Sequence, residues 1–143
     1  MKTQQIAIIL SIFTIILTSC SNQSRLLANI DSYIQTYPDS AYTELKKYKE
    51  SDFTSRKNRA KYCTLYATAL DKNYNDTSKF LDTLISYKNY YAHHGSKRDR
   101  MLYNFYLGDQ MSDSGMPESA ITSFSEALKY AITIKDWFYC GII

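Results

Sequence analysis

Glycine and proline are scarce. The 143-residue chain has 4 Gly and 2 Pro, too few turn-formers for a loop-rich all-β fold. Neither sign of charge is in large excess: the formal net charge is +3, too small to require nucleic acid or an acidic surface as partner. The apolar run Ile6–Leu17 stops short of the roughly 20 residues that a membrane-spanning helix needs. His93 and His94 are adjacent, so on a helix they point about 100° apart and do not converge on one ion. No carboxylate or cysteine stands at ligand spacing with them. No nucleophile motif, Gly-rich phosphate loop or convergent carboxylate pair is visible in the sequence. These absences point away from an enzyme, and no catalytic residue, metal or cofactor is expected.

What is present reads as helices joined by short polar turns. Hydrophobic content is 45% and charged content 22%, fitting a folded chain long enough for one domain. Aromatics reach 15%, chiefly through 14 Tyr. Leu26, Leu27, Ile30, Tyr33 and Ile34 form a helical stripe over Arg25–Thr36. Tyr37-Pro38 interrupts it, because a residue preceding proline is pushed out of the helical region. Asp39 or Ser40 is expected to cap a second helix with Ala41, Tyr42, Leu45 and Tyr48 on one face. A polar connector over Lys49–Lys57 carries Phe53 as a possible staple onto the next helix. That helix, Thr54–Asp71, shows Tyr62, Leu65, Tyr66, Ala69 and Leu70 at three- and four-residue steps. After an Asn- and Asp-rich loop, Asp76 or Thr77 is expected to cap a helix running through Ala92. Phe80, Leu81, Leu84, Ile85, Tyr87 and Tyr91 form its apolar side, and Gly95 is a natural stop. Ser96–Ser114, Pro117–Ile134 and Asp136–Ile143 follow as helices, with Pro117 fitting a first helical turn.

The N-terminus reads as a targeting signal. Lys2 supplies a positive leader and Ile6–Leu17 an apolar core of signal-peptide length. The run ends in Leu17-Thr18-Ser19-Cys20, which resembles a bacterial lipoprotein lipobox. The resemblance implies cleavage before Cys20 and lipidation of that cysteine, with several acyl chains giving stable anchoring at about 0.8 kcal/mol per buried CH₂. The bland reading is an uncleaved anchor that ends in Cys by chance. Residues 1–19 are thus expected to be signal peptide, 20–24 a lipidated polar tether, and 25–143 the folded domain. Ser21 carries no Asp-type inner-membrane retention signal. The expected location is the bacterial cell envelope, at the outer membrane facing the periplasm.

The clearest internal pattern is LGDQMSDSGMPESAITSFSEAL, Leu107 to Leu128. Leu107-Gly108, then Gly115, then Ala120, Phe124 and Ala127 stand at the offsets of a tetratricopeptide repeat, and the segment resembles that family. The family's first aromatic position falls on Asn104, between Tyr103 and Phe105, and its mid-helix tyrosine position on Met111. Trp137, Cys140 and Gly141 reproduce the start of a following repeat. Gly141 lies 33 residues after Gly108, close to the family period of about 34. The resemblance is specific over residues 101–143 and weak before them: Tyr66, for example, stands where glycine is expected. It implies an all-α fold, an α-α superhelix of about three helical hairpins plus a partial terminal helix. Solenoid ends need capping. The terminal helix either packs back as a crude cap or marks a shortened form of a longer repeat protein, and the second is favoured.

The remaining chemistry-bearing residues have bland readings. Cys63 and Cys140 fall on apolar helix faces and read as small buried hydrophobes. Two basic clusters, Arg56, Lys57, Arg59, Lys61 and Lys97, Arg98, Arg100, read first as solvated faces. Both lie near helix N-termini, where the dipole mildly opposes them, which favours contact with a partner or lipid headgroups over a structural role.

By family resemblance, the first helix of each pair lines a concave surface suited to peptides or partner helices. Leu102, Phe105, Asp109 and Ser112 are expected to face that groove, with Ala60 and Ala67 in the middle repeat. The function expected is a membrane-anchored scaffold or sensor module that binds a protein or peptide partner and no nucleic acid. It resembles lipoproteins of gut-type bacteria that carry such repeats at the N-terminus of longer proteins. Alternatives are a carbohydrate-binding lipoprotein of a nutrient-uptake system, or a structural subunit of outer-membrane assembly.

Overall fold

The computed structural model describes residues 21–75 and 80–143. The expected signal peptide, Cys20 and the expected Asp76 or Thr77 cap lie outside the described residues. Within them the protein is all-helical, with no strand. In order come α1 (residues 21–33), α2 (Pro38–Leu45), a 3-10 turn (Glu50–Asp52), α3 (Arg56–Lys72), α4 (Leu81–Ser86), α5 (Lys88–His93), α6 (Lys97–Asp113), α7 (Pro117–Ile134) and α8 (Trp137–Ile142).

Local chemistry accounts for most boundaries. Ser55 caps α3 by accepting a hydrogen bond from the Asn58 N–H at 3.1 Å. Ser96 and Asp99 form a reciprocal capping box at the start of α6. The α6–α7 turn closes as a Schellman motif: Met116 N–H donates to Met111 O at 2.8 Å and Gly115 N–H to Ser112 O at 3.0 Å. Gly115 sits at φ +73°, a left-handed conformation that glycine adopts without a Cβ penalty. Pro117 then opens α7, where its missing N–H leaves no bond unmade.

Three expectations are corrected. Ser21–Ser24, expected as a polar tether, is helical and continuous with the rest of α1. Gln23 donates to Asp52 O at 2.8 Å and accepts from Thr54 N–H at 3.1 Å, and the Ser24 hydroxyl donates to Asn58 at 2.9 Å. The second helix begins at Pro38, with Tyr37 as N-cap and no side-chain cap, so neither Asp39 nor Ser40 caps it. The expected single helix through Ala92 is broken at Tyr87 into α4 and α5. There the Tyr87 N–H turns back to Leu84 O at 3.0 Å, while the Tyr103 hydroxyl donates to the same carbonyl at 2.8 Å. A side-chain donor inserted into the backbone ladder is a recognised cause of such a kink. Ile85, expected on the apolar side, is exposed.

The core forms where α3 and α6 lie side by side with α2, α4 and α5 around them and α7 covering α6. α3 is buried almost all round, through Ala60, Cys63, Leu65, Ala67 and Ala69. Tyr66, at a position where the repeat family has glycine, packs instead in a ladder of rings with Tyr42, Tyr62 and Phe80, at centroid distances of 6.1, 5.6 and 5.3 Å. α6 and α7 meet most closely at Gly108. A Cβ there would lie 2.9 Å from the Phe124 ring, so only glycine fits without movement.

Candidate functional site

The inner faces of the stack are organised by α1. Its stripe of Leu27, Ile30 and Ile34 is fully buried, each side chain contributing about 1.5–3 kcal/mol. Asp31, on the same helix, accepts from Lys61 Nζ of α3 at 2.8 Å and from Arg98 Nη1 of α6 at 2.9 and 2.8 Å. Lys61 also pairs with Asp99. Burial alone would raise the Asp99 carboxyl, but the Lys61 charge and hydrogen bond, with those of Ser96, outweigh it and hold it below the ordinary value. Further along, Gln35 donates to the Tyr139 hydroxyl of α8 at 3.1 Å. α1 therefore spans α3, α6 and α8. Beside the Asp31 network a cleft of about 750 Å³ opens, with Ala28, Lys57, Tyr90 and His94 among its lining.

The residues expected to line a groove differ in exposure. Leu102 is 1% exposed and lies one turn after Arg98 on α6. Phe105 is half-buried, with Tyr106, Phe124 and Tyr139 around its ring at 5.0, 5.9 and 5.2 Å. Asp109 is half-buried, and Ser112 is exposed. Ala60 and Ala67 share a helix stripe with Thr64, whose hydroxyl meets that of Tyr91 of α5 at 2.9 Å, and both alanines are buried in the core. Of the six residues, Leu102, Ala60 and Ala67 are buried, Phe105 and Asp109 are half-buried, and Ser112 is exposed.

The basic clusters are also only partly solvated. Lys61 and Arg98 hold α1 in place, a structural role that helix dipoles alone do not suggest. Arg100 donates to His94 O at 3.0 Å and stands over the Tyr130 ring at 5.8 Å. Arg56, Lys57 and Lys97 are exposed. Cys63 is buried and burial pushes its thiol up; Cys140 is half-buried, more open than expected. His93 ends α5 and His94 caps it. Among the described residues no group of three His, Cys, Asp or Glu side chains is placed to hold a metal ion.

Comparison with protein-family models, with curated proteins and with solved structures found no match.

Two carboxylates far apart in the sequence come within electrostatic reach of each other: Asp71 at the end of α3 and Asp109 of α6, with Asp113 nearby. Burial, then the charges of Asp71 and Asp113, raise Asp109 to about 6. Asp71 is also raised, first by burial, with Lys72 opposing. The 38-residue separation gives no periodic signal that could have revealed the pair. A carboxyl raised in the folded state favours folding while it is protonated, and that contribution is lost as pH rises through the folded value. Asp109→Asn is therefore expected to raise stability above about pH 6 by about 1–2 kcal/mol, discounted for half exposure, and to change little near pH 4. Melting temperature followed across that range checks it; equal stability of both proteins at every pH would mean that Asp109 is not raised by its surroundings.

Proposed function

We propose that the protein is a lipid-anchored, TPR-like helical-repeat module of the bacterial cell envelope that binds a protein partner. One observation carries the repeat reading: Gly108, at the family's Leu-Gly position, receives the Phe124 ring of the antiparallel helix at 2.9 Å from its would-be Cβ. Ala120 and Ala127 are buried on the same helix face. α8 restarts the pattern 33 residues later. A carbohydrate platform would need several exposed rings together, whereas Tyr62, Tyr87, Tyr91, Tyr103, Tyr106 and Tyr139 are buried.

The anchor is read from the lipobox sequence and is tested by metabolic labelling with palmitate. Label is expected in the native protein and none in Cys20→Ser, which should also leave the membrane fraction. An unlabelled native protein, or a labelled Cys20→Ser variant, would overturn the anchored reading.

A further inference from the structure

The cleft beside Asp31 is walled by four helices. α1 gives Ala28, α3 Lys57, α5 Tyr90 with its cap His94, and α6 Arg98. Its volume of about 750 Å³ lies within the range of roughly 300–1,000 Å³ typical of small-molecule sites. Its lining comes wholly from residues before 101, outside the stretch that carries the repeat pattern. The walls are already held in place. Lys61 and Arg98 fasten α1 to α3 and α6 through Asp31. Tyr90 is half-buried and set edge-on to the Tyr91 ring, at 5.2 Å and 81°. Tyr91 is itself buried and bonded to Thr64. The His94 ring lies beside Tyr90 at 5.1 Å and 34°. A ligand therefore meets preformed walls, and little ordering opposes it.

What the ion-pair network leaves over is positive charge. Three lining cations, Lys57, Lys61 and Arg98, stand against two lining carboxylates, Asp31 and Asp99. Both carboxylates are taken by Lys61 and Arg98. Lys57 is exposed and has no bonding partner among the described residues. Arg98 uses only Nη1 on Asp31. Its side chain is 41% exposed, and its Nε and Nη2, the side-on edge of the guanidinium, bond no described residue. The charge of Arg56, next to Lys57, also reaches Tyr90. Cationic donors from α3 and α6 thus border the cleft beside two aromatic rings.

We propose that this cleft binds a small molecule with one carboxylate on a flat aromatic body. The carboxylate takes Lys57 and the side-on edge of Arg98, whose paired N–H groups match its two oxygens. The ring lies on Tyr90 and Ala28. One surplus positive charge suits a monoanion better than a doubly charged phosphate monoester. An uncharged ring would leave Lys57 unmatched, and a cation would be repelled.

The probe is 2-naphthoate, titrated by calorimetry into the full-length protein in neutral phosphatidylcholine vesicles, with protein-free vesicles as the blank. One saturable site per chain is expected. The uncharged 2-naphthamide and the ring-free acetate should each bind at least about ten-fold more weakly. Lys57→Gln should weaken naphthoate at least about five-fold and leave naphthamide binding unchanged. It should also melt at the native temperature, because Lys57 holds no described residue in place. Ala28→Trp, at an exposed position of the wall, should fill the cleft and abolish binding of both ring compounds. No saturable binding, more than one site per chain, or an affinity indifferent to Lys57→Gln overturns the proposal. So does Lys57-dependent adhesion to phosphatidylglycerol vesicles without naphthoate binding, which would give this cation to a membrane surface instead.

Discussion

Gly108→Val is expected to destabilise the protein by about 3 kcal/mol, lowering its melting temperature by roughly 10 °C. The Cβ alone would fall 2.9, 3.0 and 3.1 Å from three atoms of the Phe124 ring. That ring cannot simply swing away, because Phe105 flanks it. The helices must therefore separate where Gly108 meets Phe124, and valine adds two branches to the clash. Gly108→Ala meets the same first contact but gains about 1 kcal/mol of helix propensity. It should fall between native and Val. Gly141→Ala is the internal control, since its Cβ enters open space and the propensity gain is unopposed. Thermal unfolding of the three variants checks the order. A Gly108→Val protein as stable as the native one would show that α6 and α7 do not approach at glycine.

Asp31→Ala is expected to cost about 2–3 kcal/mol, roughly half to two-thirds of the figure for breaking a fully buried ion pair, because the site is partly open. Asp31 is the one carboxylate here that receives both Lys61 and Arg98, and its side chain and that of Lys61 are each 17% exposed. Without it Arg98 loses its ion-pair partner and Lys61 keeps only Asp99. Asp31→Asn preserves the shape and should cost less. Adding Arg98→Met to Asp31→Ala should recover part of the loss, since the desolvated guanidinium is then gone. Urea unfolding measures each variant. The effect should persist at high salt, because partly buried pairs are weakly screened. A null result for Asp31→Ala would mean that α1 is held by its apolar stripe alone.

Much of the helical framework is legible in the residues themselves. The α7 boundaries follow from Pro117 and the end of the apolar stripe, and Asp136 opens α8 as its N-cap. The Gly115 turn and the Ser96 cap need only local hydrogen bonds. The break at Tyr87 is not legible, because its cause is the Tyr103 hydroxyl arriving from another helix. Nor is the helical state of Ser21–Ser24, which rests on partners about 30 residues away. The repeat register set Leu102 and Phe105 facing a groove; in the structure Leu102 is buried and Phe105 half-buried. Register within one helix carries no information on what packs over a residue.

By itself, then, the sequence determined the all-helical class, the α6–α7 hairpin and the glycine seat that sets its close approach. These depend on periodicity, caps and side-chain volume, which act within a few residues or between adjacent helices. Tertiary structure alone decided that Asp31 of α1 gathers Lys61 and Arg98, and that burial beside Asp71 raises the Asp109 carboxyl. Charge pairing and burial depend on which surfaces meet in space, and here the meeting groups stand 30 to 67 residues apart.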